Sequence, residues 1–365
     1  MECSIFVTHD CNMKCKYCYE NKNLVGKMSI EVIKSIMDMI VNKDKNLYIK
    51  FFGGEPLLNY EAIEEAVEYI ESIKYDTSHI MYFINTNLTL IDDSIISFFK
   101  RNDFNVKMSL DGDAESFCKN RIAKISYNEI LSNAKRIHEA GIKNAVRMTV
   151  CENTLDRISD NVKYIFTQGF KNIEIGLDVM HEYTSFEIDL IEKEYKKLAV
   201  FYCDKLNEGL KLNIFDGQFS KFVFDFGNSF IMCGGGISSL KFDTKGNLYP
   251  CNICVGDERF RLGNVENVKN AESTVLKLAR DKVLESTKCD SCDIRYYCQY
   301  MKCGYINYYR TGYYNQPTDD HCRIEKMSYN ICKEVFKTVR HIDMDRLRPY
   351  YEYARDNNLR IRNIE

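Results

Sequence analysis

Short apolar runs alternate with stretches of helical periodicity through the first 225 residues of the chain. The runs fall at 4–8, 47–52, 80–85, 105–110, 144–150 and 172–177. The intervals place apolar residues at helical spacing, as over Ser29 to Val41 and Tyr60 to Ile73. Strands separated by helices predict right-handed βαβ crossovers and a parallel sheet, and six such units predict a partial (β/α)6 TIM-like barrel rather than the closed eight. A helical stretch over 185–208 leads to Leu212-Asn213-Ile214-Phe215 and an aromatic segment from Phe219 to Phe230, the expected junction. Beyond it the pattern changes to a cysteine-rich region, and residues 341–365 mix arginine and tyrosine as a solvated surface helix would. The expected division is 1–225, 226–340 and a helical extension over 341–365.

Polar residues close several of these runs. Gly53-Gly54-Glu55-Pro56 ends the run Leu47 to Phe52, Asn85-Thr86-Asn87 ends Ile80 to Ile84, and Ser109-Leu110-Asp111-Gly112 ends Asn105 to Met108. Successive strand tips of this kind build the mouth of a parallel barrel, where ligands bind. Taken singly, each is an ordinary turn. Two glycines let a backbone approach a ligand closely, Pro56 stiffens the turn, and Glu55 offers an acceptor to an ammonium.

Composition narrows the class. A chain of 365 residues with 45% hydrophobic content has room for one large barrel and a smaller domain. Its 50 basic and 53 acidic residues leave a net charge of −3, which gives no broad footprint for nucleic acid or an anionic membrane. No stretch approaches the roughly 20 apolar residues of a membrane span, and the N-terminus lacks a secretory signal. The 16 cysteines then point to a cytoplasmic protein that binds metal, because disulfides are rare in that reducing compartment.

Cys11, Cys15 and Cys18, spaced CxxxCxxC just after the first apolar run, are the sharpest chemical signal. Three thiolates of one loop can hold three irons of a cubic 4Fe-4S cluster and leave the fourth open to substrate. A zinc site is the alternative, but zinc prefers CxxC pairs and four protein ligands.

With Tyr17, the GGEP segment and the later strand tips, this loop resembles the radical S-adenosylmethionine (SAM) enzymes. The resemblance implies that SAM chelates the open iron and is reduced to a 5′-deoxyadenosyl radical. It also implies that Tyr17 packs on the adenine, that Gly53, Gly54, Glu55 and Pro56 bind the methionine amino group, and that Asn87, Ser109 and Arg121 hold the carboxylate or ribose. The chain departs from the family at Leu88, where a glycine is usual, and at Phe52, where a polar side chain is usual.

Cys233, Cys251, Cys254, Cys289, Cys292, Cys298, Cys303 and Cys322 can ligate two further clusters. Their order, with Gly246 and Tyr249-Pro250 before Cys251, resembles the SPASM domain of radical enzymes that modify peptides and proteins. That resemblance implies a distal cluster on Cys289, Cys292, Cys298 and Cys322, and a proximal one on Cys233, Cys251 and Cys303. Gly234-Gly235-Gly236 stands where some relatives carry another cysteine, so Cys254 is the fourth proximal ligand or one iron stays open. Of the remaining cysteines, Cys3, Cys151, Cys203 and Cys332 read as core positions, and Cys118 as a residue of the barrel mouth.

Within this group the chain reads as most like the ribosomal-peptide maturases and more distantly like anaerobic sulfatase-maturating enzymes. Sulfatase maturases carry an aspartate directly after the cysteine of their Tyr-Pro-Cys, and this chain has Asn252, whose neutral amide takes no proton. The expected function is an intramolecular cross-link, thioether or carbon–carbon, in a ribosomal precursor peptide under anaerobic conditions. The alternatives are formylglycine formation on a sulfatase and a non-catalytic iron–sulfur electron carrier. The expected cofactors are SAM and three 4Fe-4S clusters. Expected partners are the peptide, an electron donor such as flavodoxin or ferredoxin, and a separate leader-peptide-binding protein, since only ten residues precede Cys11; neither nucleic acid nor membrane is expected.

Overall fold

The structure is a computed structural model. It describes all residues except 21–22, 42–45, 74–78, 225–232, 268–274, 276–279, 300–302, 358 and 363–365. Along the chain run β1 (Glu2–Thr8), α1 (Ile30–Val41), β2 (Leu47–Gly53), α2 (Tyr60–Ser72), β3 (Ile80–Thr86), α3 (Asp93–Arg101), β4 (Asn105–Ser109), α4 (Ala114–Asn120), α5 (Tyr127–Glu139), β5 (Lys143–Val150), α6 (Ile158–Thr167), β6 (Asn172–Leu177) and α7 (Ser185–Asp204). Then come β7 (Lys211–Leu212), α8 (Phe219–Val223), β8 (Ser239–Phe242), β9 (Asn247–Tyr249), β10 (Gly263–Asn264), α9 (Gly304–Thr311), α10 (Asp319–Ile342) and α11 (Met344–Asp356). All six expected strands are present to within two residues. Of the expected junction, Phe219–Val223 is helical, and 225–230 lie outside the described residues.

The chain divides into two compact units, the first comprising 1–110, 120–145 and 231–282, the second 111–119, 146–230 and 283–365. In the first unit β1, β2, β3 and β4 are parallel neighbours in that order, and β8 pairs parallel to the other edge of β1, followed by antiparallel β9 and β10. Buried strands need continuous apolar sequence. Accordingly Ile5, Phe6, Val7, Ile49, Phe51 and Ile84 are fully enclosed, covered by the apolar stripes of α1 (Ile33, Ile36, Met37, Ile40) and α2 (Ile63, Ala66, Ile70). At about 1.5–3 kcal/mol per buried aliphatic side chain, this core is the main stabiliser of the unit.

The second unit has its own parallel ladder, β5 to β6 to β7. Here α7 starts at a capping box, where Thr184 and Glu187 satisfy each other's backbone N–H groups. The stripe Ile188, Ile191, Tyr195 and Leu198 of α7 and the stripe Ile324, Met327, Ile331, Val335 and Val339 of α10 are buried in its core. An aromatic cluster joins Phe222 to Tyr329 (5.4 Å) and Phe336 (5.3 Å), and Tyr297 to Tyr329 (4.9 Å). In the tyrosine-rich run, Tyr314 packs on Tyr305 and Tyr308.

One expectation needs correcting. The segment after residue 341 does form a helix with exposed residues, but the half-buried Arg346 donates to Tyr202, Asp216 and the carbonyls of Leu206 and Leu210, and Leu347 and Ala354 are fully enclosed. The helix is docked, because a guanidinium can satisfy several acceptors at once while its stem packs. Among the cysteines read as core, Cys3, Cys151 and Cys332 are buried, Cys203 is only partly so, and Cys118 is exposed on α4.

Candidate active site

The cysteine loop follows β1 within the first unit. Gly54 N–H donates to Thr8 O (3.2 Å) and Glu55 N–H to Asp10 O (2.9 Å), so the tip of β2 is tied to the start of the loop. A Cβ on Gly54 would stand 2.5 Å from Asp10 O and 2.8 Å from Cys11 Cβ, and one on Gly53, whose φ is +144°, would stand 2.1 Å from Thr8 O. The expectation was that these glycines make room for a ligand; here the backbone that presses on them is the protein's own cysteine loop.

Glu55 is enclosed. Its carboxylate accepts from Asn87 N–H (2.7 Å), the Thr86 hydroxyl (2.9 Å) and Leu57 N–H (3.2 Å). Burial nevertheless pushes the carboxyl up to about 7, against those donors and the nearby Arg121. A carboxyl poised in this way gains most from an incoming cation. Pro56 begins a single 3₁₀ turn capped by Glu55.

Asn87 follows β3 and donates to Asn12 Oδ1 (2.9 Å), with its Nδ2 3.9 Å from Cys11 Sγ. Leu88 adopts φ +69°, the left-handed region that favours glycine, which accounts physically for the glycine usual at this place. Arg121 pairs in register with Cys15 in a short antiparallel ribbon. Its Nη1 lies 3.9 Å from Cys15 Sγ and its guanidinium 5.4 Å from the Tyr17 ring centre. Ser109 ends β4 as expected. Asp111, in the second unit, accepts from Thr149 N–H at 3.0 Å and so anchors β5.

The donor set suits an iron–sulfur cluster. Cluster ligands must be thiolates, which a guanidinium favours, and N–H donors beside the sulfurs, here Met13 N–H 3.4 Å from Cys11 Sγ, are typical of such sites. Among the described residues no three ligating side chains crowd as a single metal ion requires. Ligands of a cubic cluster stand further apart, each on its own iron.

The C-terminal cysteines fall in two groups. In the first unit, Cys254 shares a thiol hydrogen bond with Cys251 that brings Cys251 down to about 7, with burial opposing and Lys241 assisting. Cys233 feels the charge of the same cysteine and of Lys241, while burial raises it. In the second unit, burial raises Cys322 and Cys289 against the nearby Lys288, and Cys322 feels the charge of Cys289, as Cys289 feels that of Cys292. Cys298 is buried at a turn, and Cys303 caps α9. The Oδ1 of Asn252 is buried and makes no hydrogen bond among the described residues.

Residue-by-residue inspection missed several of these contacts. Thr86, Asp10 and Asn12 belong to the network, and only their places at or next to strand ends hinted at it. Arg147 and Gly176 interrupt the apolar alternation of β5 and β6, a signal of function or close approach that was overlooked.

Comparison with known proteins bears on this site. The Radical SAM superfamily profile matches residues 5–165, which include the cysteine loop, the GGEP tip, Asn87, Ser109 and Arg121. Residues 5–165 thus carry a radical SAM domain, a family that implies SAM and a 4Fe-4S cluster. It is 28% identical over 313 residues to the cysteine-type anaerobic sulfatase-maturating enzyme of Clostridium novyi, covering 78% of this chain and 82% of that one. It is 23% identical over 327 residues to the radical SAM cyclopropyl synthase TigE of Paramaledivibacter caminithermalis, covering 83% and 67%. Native anSMEcpe with bound AdoMet and Cp18Cys peptide superposes with a TM-score of 0.78 at 22% identity, covering 94% of this chain and 99% of that one. The α/β fold, a βα radical SAM core with a C-terminal cysteine-rich region, is therefore shared. The sulfatase maturase is the more similar of the two relatives, the reverse of the expected order. Among the described residues no helix is long and apolar enough to cross a membrane.

Proposed function

We propose that this chain is a radical SAM oxidoreductase that installs an intramolecular cross-link in a ribosomally made peptide. The observation that carries the choice is Asn252. Next to Cys251 it presents a neutral amide, which cannot accept a proton from substrate. Similarity to a sulfatase maturase favours a second reading, formylglycine formation.

In the proposed arrangement, residues 1–225 form the radical domain, 226–340 the auxiliary-cluster domain and 341–365 the helical extension. Cys11, Cys15 and Cys18 hold the SAM-binding cluster. Tyr17, Gly53, Gly54, Glu55, Pro56, Asn87, Ser109 and Arg121 surround SAM, with Glu55 accepting its ammonium. Cys289, Cys292, Cys298 and Cys322 hold a distal cluster, and Cys233, Cys251, Cys254 and Cys303 a proximal one. The nearness of Cys254 to Cys251, three residues apart across a single 3₁₀ turn, supports Cys254 as the fourth ligand. When bound, SAM and its cluster supply one-electron cleavage and removal of a hydrogen atom from substrate. The chain's own residues position the reacting atoms and exclude water. A flavodoxin or ferredoxin would supply electrons, a separate protein would present the leader peptide, and the cytoplasm is the expected compartment.

The test is to incubate reduced, reconstituted enzyme and SAM with the peptide encoded beside its gene, and separately with a sulfatase-derived peptide. A cross-link removes two hydrogens per bond, and the mass loss survives thiol alkylation. An aldehyde on the sulfatase peptide, trapped by hydrazide, would overturn the Asn252 argument.

A further inference from the structure

The second unit contains a cavity of about 260 Å³ whose charged lining is mostly cationic. Arg147 reaches it from β5 and Lys221 from α8. Neither side chain makes a hydrogen bond or an ion pair among the described residues. Lys221 is only 8% exposed. An ammonium so removed from water is costly unless something compensates it. The single carboxylate on the wall, Glu325, already accepts Gln299 N–H at 2.8 Å, and burial shifts it toward its neutral form, against the nearby Lys221.

The cavity is also shaped around the arginine. A Cβ at Gly176 would fall 2.1 Å from Arg147 Nη2, so the glycine is what lets the guanidinium lie over β6. A planar fork and a point charge, both without a hydrogen-bond or ion-pair partner among the described residues, match a group with two anionic oxygens. Phe222 and Tyr329 on the wall offer apolar cover to a short stem. Inorganic anions lack such a stem, whereas an amino-acid carboxylate has one.

We propose that this cavity binds a carboxylate of the peptide substrate, with Arg147 and Lys221 pairing with its oxygens. The inference rests on the peptide-modifying function proposed above and narrows the substrate to peptides that carry an acidic side chain or present their C-terminus. Cys303 lines the same wall, so the bound segment would lie beside a proposed cluster ligand.

The test measures binding without turnover, on reconstituted protein without reductant. Three probes are titrated by ligand-observed NMR: acetyl-Gly-Glu-Gly-amide, its glutamine counterpart, and the glutamine peptide with a free C-terminus. A carboxylate probe should bind about tenfold more tightly than the neutral one, as a charge-assisted pair contributes, and the difference should shrink with salt. Preference for the glutamate probe assigns the site to an acidic side chain, and preference for the free terminus assigns it to a C-terminus. Arg147→Gln and Lys221→Met should each remove most of the preference. Equal binding of all three probes by the wild type, absence of binding, or a preference unchanged in both variants would overturn the proposal. The wild-type contrast needs no variant to fold. SAM cleavage, assayed separately, reports on the radical function, so either idea can fail alone.

Discussion

The three N-terminal cysteines fall within eight consecutive positions, 11 to 18, while the C-terminal eight spread over ninety positions and both compact units. The first set is arranged by one loop and by neighbours that press on it: the β2 tip through Gly53, Gly54 and Glu55, and the Arg121 ribbon beside Cys15. The second set is arranged by tertiary structure, since Cys233 comes within electrostatic reach of Cys251 where β8 pairs with β1 and β9 returns beside it. The contrast teaches that a short ligand loop still depends on distant backbone, but on only a few atoms of it.

The sharpest way to break the comparison is to remove the loop. Cys11, Cys15 and Cys18 replaced together by alanine should abolish SAM cleavage and lower iron from about twelve to about eight per chain, leaving the C-terminal clusters in place. Iron analysis and 5′-deoxyadenosine assay decide it. Loss of all iron would mean that the two sets do not assemble independently.

A smaller effect separates the two kinds of close approach. Gly54→Ala drives a methyl into backbone at Asp10 and should cost about 1–3 kcal/mol and most of the SAM cleavage, because the loop must shift. Gly176→Ala meets only the far end of Arg147, which can swing away, so its melting temperature should barely move while selection for carboxylate probes falls. Equal destabilisation of both variants would remove the distinction.

The mildest expectation concerns Glu55. Its folded carboxyl sits at about 7, above the ordinary value of 4.5. Burial thus disfavours its ionised form, and the associated loss of stability grows from pH 4.5 and levels off above 7. If Glu55 receives the SAM ammonium, SAM affinity should rise several-fold between pH 6 and 8, as the carboxyl ionises. Calorimetric titration checks this; an affinity flat in pH would remove Glu55 from that role.

Much of the fold was legible because it is local. Period-two and period-3.6 patterns are set by which residues face a buried layer, and the six strands and the helices between them follow from that. The strand-tip segments were legible too, since chain polarity alone places them at one end of a parallel sheet. The Leu88 backbone conformation, the docking of α11 through Arg346 and the partners of Glu55 were not. Each depends on residues tens of positions away, such as Asp216 for Arg346 or Asn87 for Glu55, and periodicity carries no information about which distant atoms will meet.

By itself, then, the amino-acid order determined the alternation of strands and helices, the class of chemistry and the identity of the thiols. Only the tertiary structure decided that the glycines of GGEP yield to the cysteine loop. It alone also brought Arg147 and Lys221 to one cavity wall with neither making a hydrogen bond or ion pair among the described residues. The reason is physical: secondary structure follows from neighbours along the chain, whereas burial, charge compensation and close approach are properties of space, and the chain acquires them only when its core closes.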